Sequence, residues 1–391
     1  MGIGRDSRAV FFRIQWIRQP RLFASGSAAV AVLCSFLGVA PPARGQLPPV
    51  QPTQAWKQVP SGEGACSVEK SCAELAPELI RSALGESSLA ENVNTLARMI
   101  GARVDGSPST ARAVNWAVEA FRRAGADEVH TESTMPPGQR DSALGATAQN
   151  VAAEIRGHEK SNEFVLIGAR LDPTATAESS YASACAVAVL IDAVRVIHSS
   201  GSIPRRTIRF VLFTRTSQGV DGGQAYGGGQ AYVRTHRATL DGLIAAVFFE
   251  PGTGAIRGYS LDGRGDALAA VRKTLEPAAS LGIKELTVDA VMGANNLDFV
   301  LEGVPTLVTR QDAGSEVYPS ELEPAVITEM KRHAAIAAVT AYALADGDGR
   351  IAARQSRPEI EQLLKNTGLD QHMKDANMWP VWESGERGRQ R

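Results

Sequence analysis

Apolar runs alternate with amphipathic stretches along the middle of the chain. "EFVLIGARLD", "RTIRFVLFT" and "LIAAVFFE" are nearly continuous apolar runs, which is typical of strands that are buried on both faces of a sheet. Between them, "ACAVAVLIDAVRVIHSS" and "ALAAVRKTLEPAASLG" carry apolar residues at helical spacing. This alternation predicts a three-layer α/β/α sandwich around a mixed, mostly parallel sheet.

The periodic region has boundaries that the composition marks. We predict one α/β/α domain over residues 78–346, from a helix that starts after Pro77 to a long terminal helix. Residues 46–77 are rich in Pro, Gln and Ser and predict a flexible N-terminal segment. Residues 347–391 are charged and poorly periodic and predict a charged C-terminal tail, with a helix in "RPEIEQLLKNTG". A second helix is predicted in "STARAVNWAVEAFRRAG", capped by Ser109.

The first 45 residues have the pattern of a secretory signal peptide. Arginines precede the apolar stretch "LFASGSAAVAVLCSFLGVA", and "ARG" at residues 43–45 offers a small-residue cleavage site. Cleavage there would release a secreted or periplasmic/envelope protein with no membrane span. The alternative is an uncleaved membrane anchor, because the apolar stretch is just long enough to span a bilayer.

Export would expose the cysteines to an oxidising compartment. Cys66 and Cys72 flank five residues in a polar stretch, so we predict a small disulfide loop between them. Two free thiols are the alternative. Cys185 lies in an apolar helical pattern and is predicted to be a buried small hydrophobe.

Charge excludes one class of partner. The formal net charge is −1, with 41 basic and 42 acidic residues, so no basic surplus indicates nucleic-acid binding. The sequence does not specify an oligomeric state.

In parallel sheets, functional groups lie at the carboxyl ends of strands. Here those ends read "ARLDP", "FTRTSQG", "FFEPGTG" and "TRQDAGSE". Together with "GVPTLV" and "VTAYALAD", they resemble metallopeptidase family twenty-eight, which contains di-zinc aminopeptidases and a plasma glutamate carboxypeptidase. The resemblance covers roughly residues 78–346. It implies a zinc-exopeptidase fold and, in active members, two zinc ions.

The resemblance also implies that several metal ligands have been replaced. Arg170 stands where the family has a zinc-binding histidine, and Asp172 matches the aspartate that orients that histidine. Ala182 falls on the bridging aspartate.

The later strand ends depart from the family in the same way. Thr216 falls on the general base, which is a glutamate in the family, and Ser217 falls on a glutamate ligand. Glu250 falls on an aspartate ligand, so one carboxylate survives. The last ligand is a histidine that should lie near Ser315 and Glu316, but no histidine occurs between residues 236 and 333.

These replacements predict a non-catalytic homologue with no metal cofactor. Catalytic zinc needs imidazole and carboxylate ligands, and its water needs a base. Arg170 would instead favour a peptide or another small anionic ligand, and we expect it to pair with Glu250 first and Asp172 second. The simpler interpretations are that Arg170 is a solvated rim residue and that Asp172 caps a turn.

Two other functions remain open. An active metallo-exopeptidase would have to assemble an atypical carboxylate site from Asp172, Glu250, Asp312 or Glu316, and oxygen-only sites suit Ca²⁺ or Mg²⁺ better than zinc. A structural or partner-binding envelope protein is the third. A serine nucleophile at Ser217 would need a histidine, for which His236 is a loose candidate. The other five histidines are predicted to be surface residues.

Overall fold

The computed structural model describes residues 70–104, 107–134, 149–172, 177–214, 227–249, 252–291, 295–312 and 322–390, all within one compact unit. Its eight strands are β1 (Glu128–Ser133), β2 (Gln149–Ile155), β3 (Lys160–Arg170), β4 (Arg206–Phe213), β5 (Leu243–Phe248), β6 (Ile256–Ser260), β7 (Glu285–Thr287) and β8 (Thr306–Gln311). Its helices are α1 (Cys72–Leu84), α2 (Leu89–Asn94), α3 (Pro108–Ala124), α4 (Ala177–Ser199), α5 (Gly228–Thr235), α6 (Leu268–Thr274), α7 (Asn296–Leu301), α8 (Pro324–Asp346), α9 (Arg357–Thr367), α10 (Leu369–Asp375) and α11 (Trp379–Ser384).

The strands form one mixed sheet in the order β1-β2-β4-β3-β5-β8-β6-β7. The central strands β4, β3, β5 and β8 run parallel, so their carboxyl ends share one edge. β1, β2 and β6 join their neighbours in antiparallel pairs. β6 was not predicted, because the five residues "IRGYS" carry too little apolar pattern to stand out.

Both faces of the sheet are covered by helices. On β4, Ile208, Phe210 and Leu212 face a large core that includes residues of α1–α4 and α8. Val211 and Phe213 face a second core, which includes residues of α5 and α7. The predicted α/β/α sandwich is therefore confirmed.

The long apolar helix α4 belongs to this interior. Among the described residues it is the one helix long and apolar enough to cross a membrane, over Ser180–Ser199, but 94% of that window is buried inside the protein. The same pattern is expected of a core helix in an α/β protein.

Two helix starts differ from the prediction. α1 begins at Cys72, not after Pro77, because Ser71 and Glu74 form a capping box, and Pro77 is tolerated inside the helix. The described part of the N-terminal segment 46–77 is thus partly helical. In α3 the cap is Ser107, whose side chain accepts a hydrogen bond from Thr110 N, and not Ser109.

Residues 347–391 were predicted as a charged tail, and this is wrong for the described residues. Helices α9, α10 and α11 pack against α7 through a third apolar cluster. The cluster consists of Leu297, Val300, Leu301, Ile360, Leu363, Leu364, Leu369, Met373, Met378 and Trp382. The one helix predicted here, in "RPEIEQLLKNTG", is α9.

Candidate functional site

The strand end that carries Arg170 is held by the following helix. Ser183 on α4 donates a hydrogen bond from Oγ to the Arg170 carbonyl oxygen at 2.6 Å. The Arg170 side chain is half-buried, and its Nε is buried with no hydrogen-bond partner in the described part of the chain. Within those residues this N–H lacks the acceptor that a buried donor normally has.

Asp172 lies two residues further on and is 2% exposed. The charge of Asp172 acts on the buried guanidinium of Arg103, a residue that the sequence analysis did not single out. Within the described residues no ion pair joins Asp172 to Arg170, so the second choice of partner for Arg170 is not observed.

Arg103 is completely buried and donates hydrogen bonds to four backbone carbonyl oxygens. Nε donates to Leu171 O at 2.9 Å and Nη2 to Ser180 O at 2.7 Å. Nη1 donates to Leu96 O at 2.7 Å and to Gly101 O at 3.0 Å. Burial lowers the pKa of Arg103 to about 10 and the charge of Asp172 raises it, so the group stays cationic at neutral pH.

These hydrogen bonds join three parts of the molecule. Leu171 follows β3, Ser180 lies in the first turns of α4, and Leu96 lies in a π-helical turn, Thr95–Ile100, that extends α2. Ala182, next along α4, is 6% exposed and carries only a methyl group; its correspondence to a bridging carboxylate stays a prediction.

The neighbouring strand end is built closely around α5. Asn150 accepts a hydrogen bond from Thr214 N at 3.1 Å and donates one to Gly228 O at 3.0 Å. A Cβ at Gly228 would collide with the carbonyl oxygen of Thr214, so α5 can approach the sheet here only through a glycine.

The remaining predicted positions lie outside the described residues. These are Thr216, Ser217, Glu250, Ser315 and Glu316. The pairing of Arg170 with Glu250 therefore stays a prediction.

Two other predicted groups can be placed. Asp312, which was considered for a carboxylate site, pairs with Arg257 at the surface, with an Nε–Oδ2 distance of 2.8 Å.

Cys72 is a buried free thiol within 3.9 Å of Val339 O, and burial raises its pKa to about 12. Cys66 lies outside the described residues, so the Cys66–Cys72 disulfide stays a prediction, and the structure gives it no support. Cys185 is buried as predicted.

Zinc does not fit the described part of this edge. No group of three His, Cys, Asp or Glu side chains that could hold a metal ion occurs in the ranges that the structure describes. Arg170 supplies donors and a positive charge, and Ala182 supplies no ligand atom at all. We therefore derive no chemical step through a metal.

A cluster of titratable groups lies at the end of the outer strand β1, where Glu132 pairs in register with Asn150. Glu132 Oε1 is 2.9 Å from His236 Nε2 and 3.2 Å from His130 Nε2. His236 is buried in this contact, and His333 on α8 is buried as well, so the prediction that the histidines other than His236 lie at the surface is wrong for His333.

Comparison with known proteins shows which families this part of the chain resembles. The model of "Peptidase family M28" matches residues 150–246, the span from β2 into β5 that includes Arg170, Asp172 and Ala182. Carboxypeptidase Q of Rattus norvegicus is 25% identical over 202 residues, and that of Mus musculus is 24% identical over 204. Over this span the chain is similar to peptidase family M28. Each match covers about half of this chain, 50% and 51%, but only 41% and 42% of the relative.

Solved structures agree on the fold of this M28 homologue. A peptidase M28 precursor from Shewanella amazonensis superimposes with a TM-score of 0.60 at 18% identity, covering 73% of this chain and 99% of that one. The LapA aminopeptidase of Legionella pneumophila gives a TM-score of 0.53 at 14% identity, covering 73% and 78%. At these identities the likeness establishes the fold alone.

Proposed function

We propose that this M28 homologue is a secreted, non-catalytic protein that binds a peptide or another small anionic ligand in the cleft at the carboxyl edge of its sheet. One observation carries the proposal. Arg170 stands at the end of β3 with a buried Nε that has no partner among the described residues.

A guanidinium whose buried Nε has no partner among the described residues attracts a carboxylate for two reasons. A buried donor without an acceptor costs roughly 1–3 kcal/mol, and an anionic ligand removes that cost. The bond it forms is charge-assisted, and the planar guanidinium matches both oxygens of a carboxylate. The free acid group of a peptide has this chemistry.

The same residue opposes a zinc ion. A unit positive charge about 4 Å from a divalent cation, at an effective dielectric of about 20, costs on the order of 8 kcal/mol. Arginine cannot lose its proton to relieve that repulsion. The sequence adds Thr216 at the position of the general base, so a metal-bound water would find no carboxylate there.

The alternative is an active metallo-exopeptidase with atypical ligands. Asp172 favours it, because it is a buried carboxylate at the correct strand end. The family match favours it as well, since the relatives bear the names of peptidases.

Two measurements on one preparation separate these functions. Protein purified without chelator is analysed for bound metal, and its hydrolysis of aminoacyl and dipeptide substrates is followed with added Zn²⁺. We expect no stoichiometric zinc and no metal-dependent turnover. About two zinc ions per chain, or turnover that chelator abolishes and Glu250→Ala removes, would establish the peptidase.

Ligand binding is measured separately by calorimetry with dipeptides. Arg170→Gln should weaken binding of every dipeptide at least tenfold, because it removes the charge and keeps most of the side chain. Arg112→Gln is the matched control on an exposed arginine.

Export is tested by N-terminal sequencing of the envelope fraction, where we expect a start near Gln46. A start at Met1 would contradict it.

A further inference from the structure

The peptide group that follows Arg170 is held at both of its polar ends. Its carbonyl oxygen accepts a hydrogen bond from Ser183 Oγ at 2.6 Å, and its N–H, which belongs to Leu171, donates to Phe213 O at 2.8 Å. The next carbonyl, Leu171 O, accepts from Arg103 Nε at 2.9 Å. Because a peptide group is planar, fixing its carbonyl and its N–H fixes the whole group. The backbone at the end of β3 therefore has little freedom to rotate.

The position of Ser183 is fixed as well. Ser183 lies in α4 and is completely buried, and one turn earlier in the same helix Ser180 O accepts a hydrogen bond from Arg103 Nη2 at 2.7 Å. The Ser183 hydroxyl has a second acceptor, Leu171 O, but at 3.5 Å this contact is much longer than the one to Arg170 O. The start of α4 cannot separate from the end of β3 without breaking hydrogen bonds to both buried donors.

The backbone angles of Arg170 determine the direction in which its side chain leaves the chain. Pairing of Arg170 with Phe213 in the parallel sheet restricts φ, and the hydrogen bond from Ser183 to its carbonyl oxygen restricts ψ. Ser183 and Arg103 both donate to backbone carbonyls at this strand end, so neither occupies the guanidinium of Arg170. The Nε of Arg170, which has no partner among the described residues, stays available to a ligand.

We infer that Ser183 is a positioning residue for the anion site at Arg170. The inference rests on the proposed function. A site whose backbone is fixed before binding loses less conformational freedom when the ligand arrives, and this raises its affinity. The hydroxyl restricts part of the backbone freedom of one residue, so Ser183→Ala should weaken dipeptide binding by about three- to tenfold.

A double-mutant cycle separates positioning from a general structural role. Calorimetry gives the affinity of Gly-Gly for the wild type, Ser183→Ala, Arg170→Gln and the double variant. With Arg170 present, the loss of the hydroxyl should weaken binding as stated above. In the Arg170→Gln background the same change should alter the affinity by less than about twofold, because no guanidinium is left to position.

Nuclear magnetic resonance of the guanidinium gives a second measurement that needs no ligand. The Nε–H signal of Arg170 is assigned by its absence in Arg170→Gln. Its order parameter should be lower in Ser183→Ala than in the wild type, because the side chain then starts from a more mobile backbone. If Ser183→Ala does not fold, Ser183→Cys keeps a side chain of similar size with a weak donor, and the same losses are expected in smaller measure.

Ser180→Ala is the matched control. Ser180 is also a buried serine in the first turns of α4, but its Oγ has no hydrogen-bond partner among the described residues. The substitution removes an equal hydroxyl group without removing a hydrogen bond. Affinity and the Arg170 order parameter should therefore keep their wild-type values.

The outcomes separate the inference from the function on which it rests. Equal weakening in both backgrounds of the cycle, or an unchanged Arg170 order parameter in the Ser183 variants, would overturn the positioning role and leave the anion site standing. Losses in Ser180→Ala as large as those in Ser183→Ala would also overturn it, since they would not depend on the hydrogen bond. If the wild type binds no dipeptide, the proposed function fails and the inference fails with it.

Discussion

The guanidinium of Arg387 and the carboxylate of Asp298 form a two-point ion pair in the interior. Nε lies 2.7 Å from Oδ1 and Nη2 lies 3.0 Å from Oδ2, and the two side chains are 4% and 1% exposed. Burial by itself lowers the pKa of Arg387, but the charge and hydrogen bonds of Asp298 outweigh it and raise the pKa above its usual value. This pair fixes the end of the C-terminal segment to α7.

Asp298→Asn should lower the free energy of unfolding by ~3–5 kcal/mol. The substitution keeps the shape of the side chain but leaves the charge of Arg387 buried without a counter-charge. Urea unfolding followed by circular dichroism measures the change. Asp289→Asn is the matched control, because its partner Arg310 is exposed and such pairs contribute ~0–1 kcal/mol. Equal losses in the two variants would show that the Arg387–Asp298 pair contributes no more than a surface pair.

Glu132 should make stability depend on acid pH. Burial by itself raises the pKa of the Glu132 carboxyl, but the hydrogen bonds and charges of His130 and His236 outweigh it and lower the pKa to about 2. Since the folded-state pKa lies below the ordinary value of 4.5, the stabilisation is complete above pH 4.5 and is lost as the pH falls toward 2.

The measurement compares the wild type with Glu132→Gln between pH 4.5 and pH 3. Over this interval the wild type should lose about 2 kcal/mol more of its unfolding free energy than Glu132→Gln, since each pH unit corresponds to 1.36 kcal/mol. Glu119→Gln, on an exposed glutamate, should keep the wild-type slope. Parallel curves for the wild type and Glu132→Gln would mean that the native state does not lower this pKa.

The central sheet could be predicted from the sequence, because β3, β4 and β5 are buried on both faces and therefore read as continuous apolar runs. The C-terminal helices could not. Their apolar residues are divided among three short helices, with a break at Gly368, whose φ is 74°. Arg357 and Arg387 look like residues of a solvated tail, but Arg357 stacks on Trp382 and Arg387 pairs with Asp298.

The candidate site divides in the same way. The order of the apolar runs places Arg170 and Asp172 at a strand end, and the resemblance to the family singles out Ala182 in the following helix. The role of Arg103 could not be predicted, because its hydrogen-bond partners are backbone carbonyls. Every residue has a carbonyl, so the sequence does not indicate which ones accept these bonds. The contact between Glu132 and His236 joins residues 104 positions apart, and neither carries a local motif.

Cys72 should resist alkylation in the native protein. Its thiol is buried against α8 and burial raises its pKa to about 12, so little of the reactive thiolate forms at pH 8. Iodoacetamide followed by mass spectrometry should label Cys72 only after unfolding, without any reductant. Cys185, also buried with a raised pKa, is an internal control. If Cys66 and Cys72 react only after reduction, the two residues form the disulfide predicted from their spacing, and the prediction of a free Cys72 thiol is wrong.

Arg103→Lys should destabilise the protein although the charge is kept. The guanidinium spreads its donors over Leu171 O and Ser180 O on one side and Leu96 O and Gly101 O on the other. A lysine has a single nitrogen, which cannot reach carbonyls on both sides. At least one charge-assisted hydrogen bond is lost, at a cost of ~1.5–3 kcal/mol.

Urea unfolding measures this loss, and hydrogen exchange locates it. Amides of the π-turn Thr95–Ile100 and of the first turns of α4 should exchange faster in Arg103→Lys, while those of α9 keep the wild-type rate, because α9 lies in the separate apolar cluster on α7. Arg112→Lys is the control, since Arg112 is exposed and, among the described residues, donates a hydrogen bond to the exposed Ser109 side chain. An Arg103→Lys protein with the stability of this control and unchanged exchange at both segments would show that the four carbonyls do not depend on the guanidinium.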